Sequence, residues 1–169
     1  MKVFAIAAQS ADGFIAKSRD HFADWTSKED KRLFVELTKK AGVVVMGATT
    51  FNTIGKPLPG RRNVVYTRES LGVDGIEETT KSPHELISQL EREGFSEVAI
   101  TGGQQIYRMF LEAELISEIY FTYEPLLFGD GLSFIGKQAN IQLKLLEYKK
   151  LNENALMAHY KVEYGSSNQ

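Results

Sequence analysis

Residues 98–107, Val98-Ala99-Ile100-Thr101-Gly102-Gly103-Gln104-Gln105-Ile106-Tyr107, place an apolar strand, a glycine pair and the start of a helix in one short stretch. Val98, Ala99 and Ile100 are consecutive apolar residues, the pattern of a strand covered on both faces. Past the glycines, Ile106, Tyr107, Phe110 and Leu111 recur on one helical face. A similar unit lies upstream, where Val43-Val44-Val45-Met46 runs into Gly47-Ala48-Thr49-Thr50. Asn63-Val64-Val65-Tyr66-Thr67 forms another buried strand after the turn-rich Gly55-Lys56-Pro57-Leu58-Pro59-Gly60. Strands alternating with helices predict an α/β chain with a mostly parallel sheet.

Working outward, residues 2–9 read as a buried first strand stopped by Ser10-Ala11-Asp12-Gly13, and a long polar loop follows to Trp25. Thr26-Ser27-Lys28-Glu29 has the spacing of a capping box, with Thr26 at the cap and Glu29 three residues on, so a helix is expected over 27–40 with Gly42 as its stop. Ser82-Pro83-His84-Glu85 is a second box, leading into Leu86, Ile87 and Leu90 and ending near Gly94. A strand begins at Ile119–Tyr123, and the segment 141–164 reads as a hairpin around Asn152-Glu153-Asn154. The whole predicts a three-layer α/β sandwich with an antiparallel C-terminal edge, one domain over 1–164 and a frayed tail over 165–169.

A length of 169 residues suits one domain with a sizeable core, and 43% hydrophobic with 25% charged residues excludes disordered, collagenous and coiled-coil classes. The net charge of −2 gives no field for holding nucleic acid or an anionic membrane. With no cysteine, disulfide scaffolds, thiolate zinc sites, iron–sulfur clusters and cysteine nucleophiles drop out. The apolar start through Ala8 is too short to span a bilayer, so a cytoplasmic protein is expected.

Ligands of such sheets bind beyond the carboxyl ends of the strands, where the glycine turns fall. On the first helix Asp30 shares the stripe of Leu33, Phe34 and Leu37; desolvation there would raise its pKa and let it hold a proton near neutrality, whereas simple stabilisation of a helix start is the other reading. Lys56, Arg61, Arg62 and Arg68 form a local cationic stretch without an acid, suited to a carboxylate or phosphate, or else a solvated turn. The two glycine turns allow backbone amides to approach a diphosphate, although no Gly-x-Gly-x-x-Gly or Walker sequence is present. His21, His84 and His159 lack metal or triad spacing and are read as structural, with no metal expected; Trp25 suggests a hydrophobic staple.

Together these pieces resemble dihydrofolate reductase over roughly residues 1–130. The stretch 43–63 looks like that family's strand, cofactor helix and proline turn; Trp25, Asp30 and Phe34 match its tryptophan, acid and pterin-packing phenylalanine; and 100–107 looks like its glycine-glycine motif. The resemblance implies NADPH-dependent reduction of 7,8-dihydrofolate to tetrahydrofolate, a step in one-carbon metabolism. It implies that Asp30 and Thr122 are catalytic, with Asp30 binding the pterin edge and assisting protonation of N5. It assigns Ile6, Ala8, Lys31, Phe34, Ile54, Arg61, Thr101 and Tyr107 to the substrate as well, Arg61 pairing with the tail carboxylate. Ala8, Ile15, Gly47, Ala48, Thr49, Thr50, Thr67, Arg68, Gly102, Gly103, Gln104, Gln105 and Ile106 fall to the cofactor, Thr67 and Arg68 reaching its 2′-phosphate.

The chain departs from that pattern at Lys31 and Thr101, where the family has apolar residues, and at Ala48, where many members are basic. The segments 10–16 and 124–131 look more like the riboflavin-pathway reductase domain of the same fold. A stand-alone pyrimidine reductase using NADPH is therefore the alternative enzyme, and a nucleotide-binding module without catalysis is the third reading. A monomer suits the first family and a homodimer the second.

Overall fold

The computed structural model describes residues 1–165. Its elements are β1 (Lys2–Ser10), β2 (Phe14–Ala16), α1 (Lys28–Ala41), β3 (Val43–Gly47), α2 (Ala48–Ile54), β4 (Arg62–Tyr66), β5 (Glu77–Thr79), α3 (Pro83–Arg92), β6 (Glu97–Gly102), α4 (Gln104–Glu112), β7 (Glu118–Glu124), β8 (Leu132–Ser133), β9 (Gln142–Lys150) and β10 (Leu156–Glu163). Eight strands form one sheet in the order β5-β4-β3-β6-β1-β7-β10-β9, and β2 pairs with β8 in a separate ribbon. From β5 through β7 all neighbours are parallel, while β10 is antiparallel to β7 and β9 to β10. This is the mostly parallel sheet with an antiparallel edge that the alternating pattern predicts.

Continuous apolar runs work here because the central strands are covered twice and period two sends neighbours to opposite faces. Val43 and Val45 join Val3, Ala5, Val98 and Ile100 beneath Leu86 and Leu90 of α3 and Ile106 and Phe110 of α4. Val44 and Met46 join Phe4, Ile6 and Ala99 on the other side, beneath Leu33 of α1 and Phe51 of α2. The helices stop where glycine supplies a left-handed residue: Gly42 (φ 76°) ends α1 and Gly55 (φ 80°) ends α2. At the far edge every residue of β9 is exposed, and a bulge interrupts its pairing with β10.

The Ser82–Glu85 capping box forms with both reciprocal bonds. The first box does not. The N-cap of α1 is Ser27, not Thr26, and its side chain accepts from the Asp30 N–H. Glu29 cannot complete the box, and its carboxylate accepts from Asn152 Nδ2 at 3.1 Å. The reason is tertiary: the Ser27 N–H, which a box would satisfy from within the helix, donates 2.8 Å to Glu124 on β7. The strands β2, β5 and β8, two or three residues each, are too short to show an alternation. Beyond Gly165 the expected frayed tail lies outside the described residues. Among the described residues no helix is long and apolar enough to cross a membrane.

Phe110 is fully buried where α4 meets the sheet. Phe110→Ala leaves a ring-sized void and is expected to lower unfolding free energy by about 3–5 kcal/mol, read as a fall in the denaturant midpoint at constant m-value.

Candidate active site

The carboxyl ends of β1, β3, β4 and β6 open into one cleft of about 1410 Å³, ample for two small ligands side by side. Its wall contains every expected substrate residue: Ile6, Ala8, Asp30, Lys31, Phe34, Ile54, Arg61, Thr101 and Tyr107. It also contains Ile15, Gly47, Ala48, Thr49, Thr50, Thr67, Arg68, Gly102, Gly103, Gln104, Gln105 and Ile106. Thr122 alone is absent from the wall. It lies 1% exposed on β7, paired with Ala8 of β1, and touches the site through Asp30.

Asp30 is only 8% exposed, at the third position of α1. Burial raises its pKa above the ordinary carboxyl value; hydrogen bonds from the Thr122 and Thr26 hydroxyls oppose the rise, the negative charge of Glu124 reinforces it and Lys31 opposes it. Desolvation wins, so the carboxyl takes up a proton more readily than an exposed aspartate does. Beneath it Tyr107, wholly buried on α4, donates 2.7 Å to the Ile6 carbonyl. Burial, and secondarily the Asp30 charge, push the phenol pKa far up, so Tyr107 stays a neutral donor. Thr101 donates 3.2 Å to the Val45 carbonyl, which satisfies its buried hydroxyl.

The two glycine turns face each other. A Cβ on Gly47 would meet Ile106 at 3.2 Å, and one on Gly103 would meet Thr50 Oγ1 at 3.2 Å. A side chain on either turn would crowd the other's neighbour, so glycine lets the two turns lie close between α2 and α4. Gly102 has φ 112° and its peptide bond to Gly103 is cis. Gln104 Nε2 donates 2.8 Å to the Ser133 carbonyl, tying the start of α4 to the β2–β8 ribbon.

The basic stretch divides. Arg62 turns away from the cleft into ion pairs with Glu77 and Glu93, so it is not part of the cationic wall that the sequence suggested. Arg61 remains in the wall, its Nη1 donating 2.8 Å to Thr38 Oγ1 and its Nε 3.1 Å to the Pro59 carbonyl. The turn beneath it is held by Asn63, which accepts from the Leu58 N–H and donates to the Leu58 and Arg61 carbonyls. Arg68 lines the opposite end with Lys81 and Ser82.

Several wall residues were not foreseen, among them Arg19, Thr26, Tyr66 and Lys81. The Tyr66 hydroxyl is a buried polar atom without a partner among the described residues, and burial pushes its pKa up to about 12. Trp25 does not act as a staple: it stacks on His21, meets Phe128 edge-on and joins the cleft wall. The loop bearing it is clipped at its root by Asp12, whose carboxylate accepts from Ser10 Oγ and the Phe128 and Gly129 N–H groups, bonds that lower its pKa to about 2. Among the described residues no group of three or more His, Asp or Glu side chains is placed to hold a metal.

A family model described as dihydrofolate reductase matches residues 2–125. The chain is 36% identical over 124 residues to dihydrofolate reductase type 3 of Salmonella typhimurium, covering 73% of this chain and 72% of that protein. It is 40% identical over 109 residues to the dihydrofolate reductase of Mycobacterium leprae, covering 63% of each. Among solved structures, a putative riboflavin biosynthesis protein from Shewanella sp. PV-4 superposes with a TM-score of 0.80 at 21% identity, over 97% of this chain and all of that one. A pyrimidine reductase-like protein from Corynebacterium diphtheriae superposes with a TM-score of 0.81 at 16% identity, over 97% and 92%; at these identities the likeness concerns the fold. The match over 2–125, which covers nearly all of the cleft wall, means that the chain belongs to the dihydrofolate reductase family, whose members are NADPH-dependent oxidoreductases.

Proposed function

We propose that the domain over 1–164 reduces 7,8-dihydrofolate to 5,6,7,8-tetrahydrofolate, with Asp30 as the acid that assists protonation of the pterin. The observation that carries this reading is a buried carboxyl, its pKa raised by desolvation, in the wall of a cleft that also presents Arg61. The opposed glycine turns, each tight against a Cβ, and the Tyr66 hydroxyl, unpartnered among the described residues, fit an extended nucleotide with phosphates and a polar base. When bound, NADPH supplies the hydride.

The chain's own residues do the rest. Asp30 holds a proton beside the ring nitrogen and accepts from the amino edge, Thr122 keeps the carboxyl oriented, and Phe34 and Ile54 exclude water from the ring. Arg61 pairs with the tail carboxylate, fixing which end of the substrate lies deep. Thr67 and Arg68 take the 2′-phosphate, Arg68 carrying the preference since Ala48 offers no charge. The pyrimidine reductase reading rests on the superposition over nearly the whole chain; it predicts turnover of a ribosylamino-pyrimidine phosphate in place of dihydrofolate.

Absorbance at 340 nm with purified protein, NADPH and dihydrofolate should fall; bound NADPH with no oxidation would overturn the folate reading. Asp30→Asn is expected to slow hydride transfer roughly a hundredfold or more, most at neutral and higher pH, because in acid the solvent replaces the lost proton. The same variant has an opposite effect on stability. With its native pKa raised, the wild-type carboxyl retains a proton that the unfolded chain releases above about pH 4, so stability falls as pH rises through that window. Asp30→Asn should therefore melt higher than wild type at pH 7 and lose that advantage below about pH 4 in thermal scans. Arg61→Ala should weaken dihydrofolate by about 1.5–3 kcal/mol and leave NADPH affinity nearly unchanged in fluorescence titrations; equal losses on both would remove Arg61 from the tail site.

A further inference from the structure

Strand and helix periods meet at one place behind the cleft. Thr122 and Glu124 stand two apart on β7 and so face the same side of the sheet; Ser27 and Asp30 stand at the N-cap and third position of α1 and so face the same way. The two pairs engage: Thr122 bonds Asp30, and Glu124 bonds Ser27. Glu124 is only 4% exposed, and one of its oxygens, Oε1, accepts from both the Ser27 N–H at 2.8 Å and the Ser27 hydroxyl at 2.7 Å. The same hydroxyl oxygen accepts from the Asp30 N–H at 3.2 Å. A buried carboxylate is costly unless donors are fixed around it, so this arrangement is a deliberate linkage between β7 and the backbone that bears Asp30.

We propose that Glu124 is a positioning residue for the reaction: it grips Ser27, seats the first turn of α1 on β7 and keeps an anion behind the Asp30 carboxyl. This rests on the reading of Asp30 as the acid. The groups facing Asp30 are Glu124 from β7, Lys31 from its own helix and Tyr107 from α4, with the Thr26 and Thr122 hydroxyls beside it. Of these, Glu124 is the one whose charge both favours the protonated carboxyl and is locked in place by the N-cap.

The test separates charge from grip. Glu124→Gln keeps a carbonyl oxygen for Ser27 but removes the anion; Ser27→Ala keeps the anion but removes the hydroxyl link. The Asp30 carboxyl, identified by its absence in Asp30→Asn, is followed by carbon-13 NMR against pH, so the measurement does not need turnover. In Glu124→Gln the midpoint should move toward acid, and turnover above the midpoint should fall about three- to tenfold. In Ser27→Ala the midpoint should hold while kcat and the melting temperature fall. An unmoved midpoint in Glu124→Gln, equal midpoint shifts in both variants, or wild-type kcat in Ser27→Ala would overturn the proposal. Wild-type protein that never oxidises NADPH with dihydrofolate would overturn the folate reading alone, since the NMR midpoints still decide the role of Glu124.

Discussion

Parallel strands cannot be joined by tight turns, and that constraint organises the molecule. Each crossover from β1 to β7 carries the chain back along a face of the sheet, so the carboxyl ends of the strands gather at one edge. Helices that begin there must begin in turns, and Gly47 and Gly102-Gly103 are those turns. The cleft is the space that remains when backbone, and not side chain, occupies the edge. The central strands are uniform: Val43 to Met46, Val64, Val65 and Val98 to Ile100 are sealed from water entirely.

Into that apolar setting the chain introduces two carboxylates from different elements. Neither is paired with a cation in a buried ion pair. Asp30 is tempered by hydroxyls, and Glu124 by a helix cap. Hydroxyl partners satisfy oxygen lone pairs without fixing the charge as a guanidinium would, which leaves Asp30 free to change protonation state. Arg62 shows the contrast: paired with Glu77 and Glu93, it is committed to holding β4, β5 and the end of α3 together.

The fold was legible because its signals are local and redundant. Apolar runs of four, glycine stops and the Ser82 box each fix an element alone, and their order fixes the class. The two glycine turns and the proline turn of the cleft followed from the resemblance at residues 43–63 and 100–107, whereas the wall segments 66–71 and 79–82 are mostly set by the fold. What sequence hid is tertiary. Thr26-x-x-Glu29 has the spacing of a box, but the cap falls one residue later, on Ser27, whose N–H goes to a strand some hundred residues away, and Glu29 turns to Asn152 instead. Arg62 looked like Arg61, and only the positions of Glu77 and Glu93 separate their roles. Glu124 gave one usable signal, its spacing of two from Thr122, which places both side chains on one face.

The Asp12 clip gives the loop after β1 an uneven character. Its root is stitched to the segment after β7 by backbone donors from Phe128 and Gly129, which hold the Asp12 carboxylate below the usual carboxylate range. The stretch beyond, from Lys17 to Trp25, is held mainly by ring contacts. In hydrogen-exchange terms, the amides of Phe128 and Gly129, each held by the Asp12 carboxylate, are expected to exchange more slowly than the open amides of the loop beyond. In evolutionary terms, length changes are tolerable in the distal part of the loop, whereas an inserted residue between Ser10 and Gly13 would unpick two loops at once.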